Sequence, residues 1–266
     1  PTHPGSRLPP AASGEGEGTE FGEAEFIGRK LFEKQAKHPV MFTYLLLNLL
    51  TIAVPLSRSF EHRIAYYKKF RSLFIAIFIS GILFLTWDYF FTKAGIWSFN
   101  SNYLVGITLA GLPLEEWLFF ITVPFACVFI HEVLKHFVPD YFKGKGSTIA
   151  IVTGIFLLVT GFLNINLSYT AVTFIAAGSL LVVLGLARVA FLSRFWLTYF
   201  VHLIPFFIIN GVLTALPVVR YNNSENLGIR IGTIPIEDTV YSMLLLLTVI
   251  GIYEYFNQKI QTPART

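Results

Sequence analysis

The chain has 266 residues, of which 54% are hydrophobic and 14% are charged, and its formal net charge is +4. Soluble domains carry about 25% charged residues, so this chain has too few charges to cover a surface that faces water. The composition excludes a water-soluble globule and indicates an integral membrane protein. The positive excess is small and lies in short clusters between apolar runs, so no nucleic-acid partner is expected.

The first forty residues differ from the rest because they are rich in Gly, Glu, Pro and Ser and contain no long apolar run. A signal peptide needs an apolar core, so this segment is not one. We interpret residues 1–40 as a linker or tag without fixed structure and exclude them from the predicted fold.

Seven apolar segments follow, each close to the roughly 17–25 residues that a helix needs to cross a membrane. They lie at residues 41–56, 72–91, 113–134, 148–167, 169–187, 195–216 and 239–256. We therefore predict an all-α integral membrane protein with seven transmembrane helices, the first of which is at the short limit.

The basic residues of the membrane body alternate between loops. Twelve follow helices 1, 3, 5 and 7, and three lie in the remaining loops. Cytoplasmic loops carry the excess of Lys and Arg, which predicts a multi-pass protein of the cell membrane with its native N-terminus outside and its C-terminus in the cytoplasm. The twelve are Arg58, Arg63, Lys68, Lys69, Arg71, Lys135, Lys143, Lys145, Arg188, Arg194, Lys259 and Arg265, and the three are Lys93, Arg220 and Arg230.

An internal repeat with an offset of 122 residues relates residues 99–117 to residues 221–239 without a gap. It predicts a first three-helix unit at 41–137 and a second at 168–258, joined by a linking helix within 138–167 and followed by a tail at 259–266. An even number of crossings separates equivalent helices, so the two units are parallel and their motifs reach the same face. The matched pairs are Asp88 with Asn210, Asn100 with Asn222, Gly106 with Gly228, Pro113 with Pro235, Glu115 with Glu237, and Glu116 with Asp238.

Each copy of the motif reads Pro, apolar, acid, acid: PLEEW at residues 113–117 and PIEDT at residues 235–239. Pro with acids in the first turn is also typical of an ordinary helix start. However, residues 103–134 are almost uninterrupted apolar sequence, and 32 helical residues would measure about 48 Å against a hydrocarbon core of roughly 30 Å. We expect a break at Pro113, with residues 103–112 re-entrant or interfacial and the acids inside the protein at membrane depth.

Carboxyl groups at that depth are candidates for function. Four that share a low-dielectric pocket cannot all be ionised, so such a group can deliver and remove protons. The catalytic candidates are Glu115, Glu116, Glu237 and Asp238, of which the identical pair, Glu115 and Glu237, is expected to be most sensitive to substitution. The residues expected to bind substrate or to support the acids are Pro113, Pro235, Asn100, Asn222, Asp88, Asn210, Trp117, Phe119, Tyr241 and His202.

Cofactors are not expected. His and Cys ligands at metal-site spacing are absent, and His131 and His202 are isolated in apolar segments. Gly144-Lys145-Gly146 lacks the third glycine of a dinucleotide-binding motif and does not follow a predicted strand.

The two acidic motifs, the Asn-containing loops before them and the duplication resemble the membrane-embedded lycopene cyclases of the two-subunit or fused kind. In that family two homologous three-helix units together convert the open ends of lycopene into β-ionone rings. The resemblance covers about residues 41–256 and implies the fused form. It implies a cofactor-independent isomerase of carotenoid biosynthesis that acts on lycopene and other linear carotenoids, among membrane lipid and other enzymes of the pathway. The motif acids would protonate a terminal double bond and deprotonate the cyclised cation.

Two other functions use seven helices or buried acids. A proton-coupled membrane transporter also relies on intramembrane acids and repeats, and it would move a substrate across vesicles where a cyclase would not. A retinal photoreceptor needs a lysine within the membrane to form its Schiff base, and every lysine lies outside the predicted spans, which counts against it.

The charge distribution generates a prediction about topology. An epitope tag in the loop at residues 135–146 should face the cytoplasm, and a tag at residues 222–227 should face the opposite side, because twelve basic residues outweigh three. Antibody accessibility in intact and permeabilised cells measures this. Both tags on one side would contradict the seven-helix arrangement.

Overall fold

The computed structural model describes residues 41–261. The predictions for residues 1–40 and for the end of the tail at 262–266 lie outside the described residues. Within the described part, the chain forms α1 (Thr43–Arg58), α2 (Phe70–Lys93), α3 (Leu114–Phe137), α4 (Gly146–Leu163), α5 (Ser168–Leu186), α6 (Leu192–Ala215) and α7 (Ile236–Gln261). Six of these are long and apolar enough to cross a membrane, and α1 is shorter, with 16 residues. The predicted all-α membrane fold is confirmed.

A short antiparallel ladder shows how the two units are related. β1 (Trp97–Phe99) pairs with β4 (Val219–Tyr221), and at its centre Ser98 faces Arg220. These two residues are equivalent at the offset of 122, so a local two-fold axis passes between them. The loops before α3 and α7 therefore lie on the same face, which confirms the parallel arrangement of the repeats.

Each of these loops ends in a hairpin that leads directly into a helix. β2 (Thr108–Leu109) pairs with β3 (Leu112–Pro113), and β5 (Arg230–Ile231) pairs with β6 (Ile234–Pro235). The first hairpin turns at Gly111, whose φ of +83° is in the region that favours glycine. The chain breaks at Pro113 as expected, although this proline is the N-cap residue and the helix begins one residue later.

The centre of the bundle is formed by the third helix of each unit. α3 packs against α1, α2, α6 and α7, while α7 also packs against α2, α5 and α6. The contacts of α3 with α6 and of α7 with α2 cross from one unit to the other, so the two units share one core.

A buried polar network joins α3 and α7 at the end of the bundle opposite the motif acids. His131 Nε2 lies 3.0 Å from Glu254 Oε1, and the Tyr253 hydroxyl donates to Glu132 Oε1 at 2.9 Å. The two contacts are equivalent under the repeat. His131, expected to be isolated, is thus paired, and the buried carboxylates have the partners that they require. The lysines that complete the ion pairs are Lys69 for Glu132 and Lys135 for Glu254.

The linking helix α4 is held against α5 by close backbone contact. A Cβ atom added to Gly154 would come within 2.8 Å of the Gly178 carbonyl oxygen, and one added to Gly178 would come within 2.7 Å of the Gly154 oxygen. Small residues allow two helices to approach closely in a membrane. The linking helix is therefore packed closely against the first helix of the second unit.

Candidate functional site

The four motif acids lie in the first turns of α3 and α7. Their exposed fractions are 0% for Glu115, 5% for Glu116, 0% for Glu237 and 4% for Asp238. A buried carboxyl group is costly unless hydrogen-bond donors satisfy it. The partners of each acid therefore indicate what it does.

Glu115 and Glu237 hold the preceding loops against the helix starts. Glu115 Oε1 accepts from the backbone N–H of Val105 at 2.6 Å, and Glu237 Oε1 accepts from that of Leu227 at 2.8 Å. Val105 and Leu227 are equivalent in the repeat. Glu237 Oε1 also accepts from the Thr170 hydroxyl at 2.6 Å. These contacts fold each loop back over the start of its helix.

An elongated cavity of about 400 Å³ lies between α1, α3, α6 and α7. Along α3 its wall extends from Glu116 to Ile130, about 21 Å at the helical rise of 1.5 Å per residue. Asp88 and Asp238 join Glu116 at one end, and most of the remaining wall is apolar or aromatic. Carboxyl groups from both units thus meet at one end of a long apolar space.

The cavity reaches the outer surface of the bundle between α1 and α6. Its wall includes Leu50 and Val54 of α1, whose exposed fractions are 57% and 64%, and Pro205 of α6, which is also exposed. The cavity therefore has an apolar edge at the surface of the bundle.

Asp238 is surrounded by donors. Its Oδ1 accepts from the Tyr169 hydroxyl at 2.5 Å, and its Oδ2 accepts from the Tyr221 hydroxyl at 2.7 Å and from Asn210 Nδ2 at 2.8 Å. Burial raises the pKa of Tyr221 well above its ordinary value, and the neighbouring Asp238 carboxylate raises it further. Tyr221 therefore remains a neutral donor. Burial disfavours the charged form of Asp238, and the three donors act against that effect.

Glu116 has a different environment. Its Oε2 accepts from the Tyr44 hydroxyl at 2.6 Å. The repeat places Asp88 where the second unit has Asn210, and Asp88 lines the same cavity as Glu116. Asp88 is 3% exposed, and its Oδ2 is buried with no hydrogen-bond partner among the described residues. The first unit thus has a carboxyl where the second has an amide donor.

The structure separates the predicted site residues into two groups. The cavity wall includes Asp88, Glu116, Phe119, His202, Asn210, Asp238 and Tyr241. The predicted residues outside the cavity wall are Pro113, Pro235, Glu115, Glu237, Asn100, Asn222 and Trp117.

The residues outside the wall shape the loops. Asn100 and Asn222 each accept a backbone N–H two residues further on and so cap a short turn. Trp117 of α3 donates to the Leu109 carbonyl oxygen in the first hairpin at 3.1 Å. In the wall, His202 lies towards the end away from the acids, with its Nδ1 3.4 Å from Cys127 Sγ.

Sequence reasoning missed the tyrosines that hold the acids. The offset of 122 pairs Tyr44 with Asn166, whereas the structure makes Tyr44 and Tyr169 equivalent, an offset of 125. The sequence feature that marks these tyrosines is a Thr or Ser followed by Tyr at the start of the first helix of each unit. A gapped alignment of the repeats would have found it.

The comparisons with known proteins agree with this architecture. The family model for lycopene cyclase matches residues 41–134 and 166–256, well over half of the chain and in two stretches that fall on the two units. No curated protein and no solved structure gave a match.

The loop contacts generate a prediction about stability. Glu237→Ala removes the acceptor of the Leu227 N–H and of the Thr170 hydroxyl, and a buried donor without a partner costs about 1–3 kcal/mol. We expect a lower free energy of unfolding in detergent and faster proteolysis at residues 222–233. Glu237→Gln keeps an acceptor oxygen and is the matched control, with a smaller loss. An alanine variant as stable and as protease-resistant as the parent would show that the contact does not hold the loop.

Proposed function

This chain belongs to the lycopene cyclase family, and we propose that it forms β-ionone rings at the ends of lycopene by cofactor-independent acid–base catalysis. It is a multi-pass membrane protein and an enzyme of a family that acts on a carotenoid. The observation that carries the finer proposal is that Glu116, Asp88 and Asp238, from both units, meet at one end of an elongated apolar cavity.

The two matched stretches also support the proposed division of the chain. We propose that residues 41–137 and 168–258 are two cyclase units, that 138–167 link them, and that 259–266 form a tail. Each unit supplies one wall of the same acidic end, because Glu116 begins α3 and Asp238 begins α7.

The reaction is an isomerisation, so atoms and electrons balance within the substrate. A carboxylic acid adds its proton to the terminal double bond, which leaves a tertiary carbocation and a carboxylate. The neighbouring double bond attacks the cation and closes the ring. A second carboxylate then removes a ring proton and restores a double bond. Positioned acids and bases contribute about 10²–10⁴-fold to such steps.

The cavity wall suits the cationic intermediate. Phe119, Trp97 and Tyr241 line the acidic end, and the negative face of an aromatic ring stabilises a nearby cation. The apolar remainder excludes water, which would otherwise capture the carbocation. The side chains of Glu115 and Glu237 act behind this wall by holding the two loops in place, so we propose that Glu116 and Asp238 are the motif acids that reach the substrate.

The lateral opening provides the route for a substrate that dissolves in lipid. Lycopene is a long hydrocarbon, and a molecule of that kind moves within the membrane rather than through water. The exposed edge formed by Leu50, Val54 and Pro205 faces that phase. We propose that one end of the carotenoid enters here from membrane lipid, supplied by other enzymes of carotenoid synthesis in the same cell membrane.

The redox-neutral chemistry generates a prediction. The purified protein in lipid nanodiscs should convert lycopene into β-ringed products without added flavin, nicotinamide or metal ion, and a chelator should leave the rate unchanged. Pigment chromatography measures the products. Abolition by a chelator, or dependence on reduced flavin, would contradict the cofactor-free reaction. Substrate flux across sealed vesicles with no ring formation would identify a transporter instead.

A further inference from the structure

The two units differ around their motif acids, and we propose that this difference divides the acid–base work: Glu116, which lines the cavity together with Asp88, delivers the proton, and Asp238 removes it. The assignment rests on the proposed cyclase function and gives each carboxyl group one role. It follows from the two positions at which the donors around the motif acids differ between the units.

The environment of Asp238 is that of a base. Tyr169, Tyr221 and Asn210 all donate to its two oxygens, at 2.5–2.8 Å. None of these three side chains is a carboxyl group with which Asp238 would share a proton. Hydrogen bonds to a carboxylate favour its ionised form, and an ionised carboxylate in a dry cavity is ready to accept a ring proton.

The environment of Glu116 is that of an acid. Two of the three donors are replaced in the first unit: Phe99 stands at the position of Tyr221 and has no hydroxyl group, and Asp88 stands at the position of Asn210. Glu116 keeps the Tyr44 contact. Two interacting carboxyls in one apolar pocket cannot both be ionised. The pair therefore holds a proton, and the unpartnered Oδ2 of Asp88 is also cheaper to bury in the neutral form.

The shape of the bundle explains why one donor and one acceptor are sufficient. The two-fold relation would place a second cavity on the opposite side of α3 and α7. There Phe84 and Trp87 stand where the second unit has Phe206 and Ile209, and both rings pack against Tyr241, with centroid distances of 5.5 Å and 5.8 Å. Three aromatic side chains therefore pack together on that side. On the other side, Glu116 and Asp238 line the open cavity together.

The cycle closes without any other reactant. Glu116 transfers its O–H proton to the terminal alkene carbon and becomes a carboxylate, the ring carbon–carbon bond forms, and Asp238 takes one ring proton and becomes a carboxylic acid. One proton must then return from Asp238 to Glu116 or Asp88 before the next ring. All three groups face the same cavity.

The test compares three substitutions of similar size in the full-length protein: Glu116→Gln, Asp88→Asn and Asp238→Asn. The wild type is assayed first, because failure of the wild type to cyclise lycopene would refute the proposed function rather than the assignment. Thermal unfolding and gel filtration confirm the fold of each variant, with Gly81→Ala as the matched control, since no atom lies within 4 Å of a Cβ atom added at Gly81.

The variants should differ in product as well as in rate. Glu116→Gln should reduce formation of every ring type by about 10²-fold or more, because no cation forms. Asp88→Asn should slow the reaction by roughly tenfold or more and leave the ring type unchanged. Asp238→Asn should still consume lycopene, and its products should include rings with a displaced double bond or a ring alcohol, because the cation loses another proton or captures water.

Two results would overturn the assignment while leaving the cyclase function intact. One is the reverse pattern, with altered rings from Glu116→Gln and none from Asp238→Asn. The other is an equal loss of rate in all three variants with no altered product. Asn210→Asp provides a reciprocal check, because it gives the second unit the carboxyl of the first. This substitution should impair Asp238 as the proton acceptor and produce altered rings. If Asn210 had a purely structural role, the ring type would not change.

Discussion

Buried carboxyl groups impose the strictest requirement on this fold. Each of the four motif acids is at most 5% exposed, and a carboxyl in an apolar interior needs donors, a shared proton or both. The break of the third helix at Pro113 and Pro235 supplies what they need. It turns the chain back so that loop amides reach Glu115 and Glu237, while the first helix of each unit brings a tyrosine to Glu116 and Asp238.

Duplication brings two such acidic ends together, and divergence makes them different. The ladder centred on Ser98 and Arg220 keeps both loops on one face. The contact of His131 with Glu254 joins α3 and α7 at their other ends, away from the motif acids. A symmetric dimer-like bundle would have two equal cavities with equal acids. Trp87 stands where the second unit has Ile209, and Asp88 stands where it has Asn210, so the two units contribute unlike groups around the acids.

Much of this was predictable from the sequence because apolar length and an ungapped repeat are strong signals. These two signals predict the seven helices, the break at Pro113 and the equivalence of Glu116 and Asp238 in the repeat. The partners of the acids were not predictable in the same way. Tyr44 and Tyr169 are related by a different offset, and Tyr221 lies in a strand that forms only when the two units meet. The residue type also gives no indication of role: Glu115 and Glu116 are both glutamates, but Glu115 holds a loop and Glu116 lines the cavity.

Solvent deuterium tests the central claim most directly, because the account requires a proton from the protein to enter the product. Enzyme in excess is equilibrated in D₂O, mixed with lycopene and quenched when the first ring has formed. Mass spectrometry should find the monocyclic product heavier than lycopene by one deuterium substitution, with no other change in composition. A first ring without deuterium, or a product that has gained or lost hydrogen overall, would contradict acid–base isomerisation by the buried carboxyl groups.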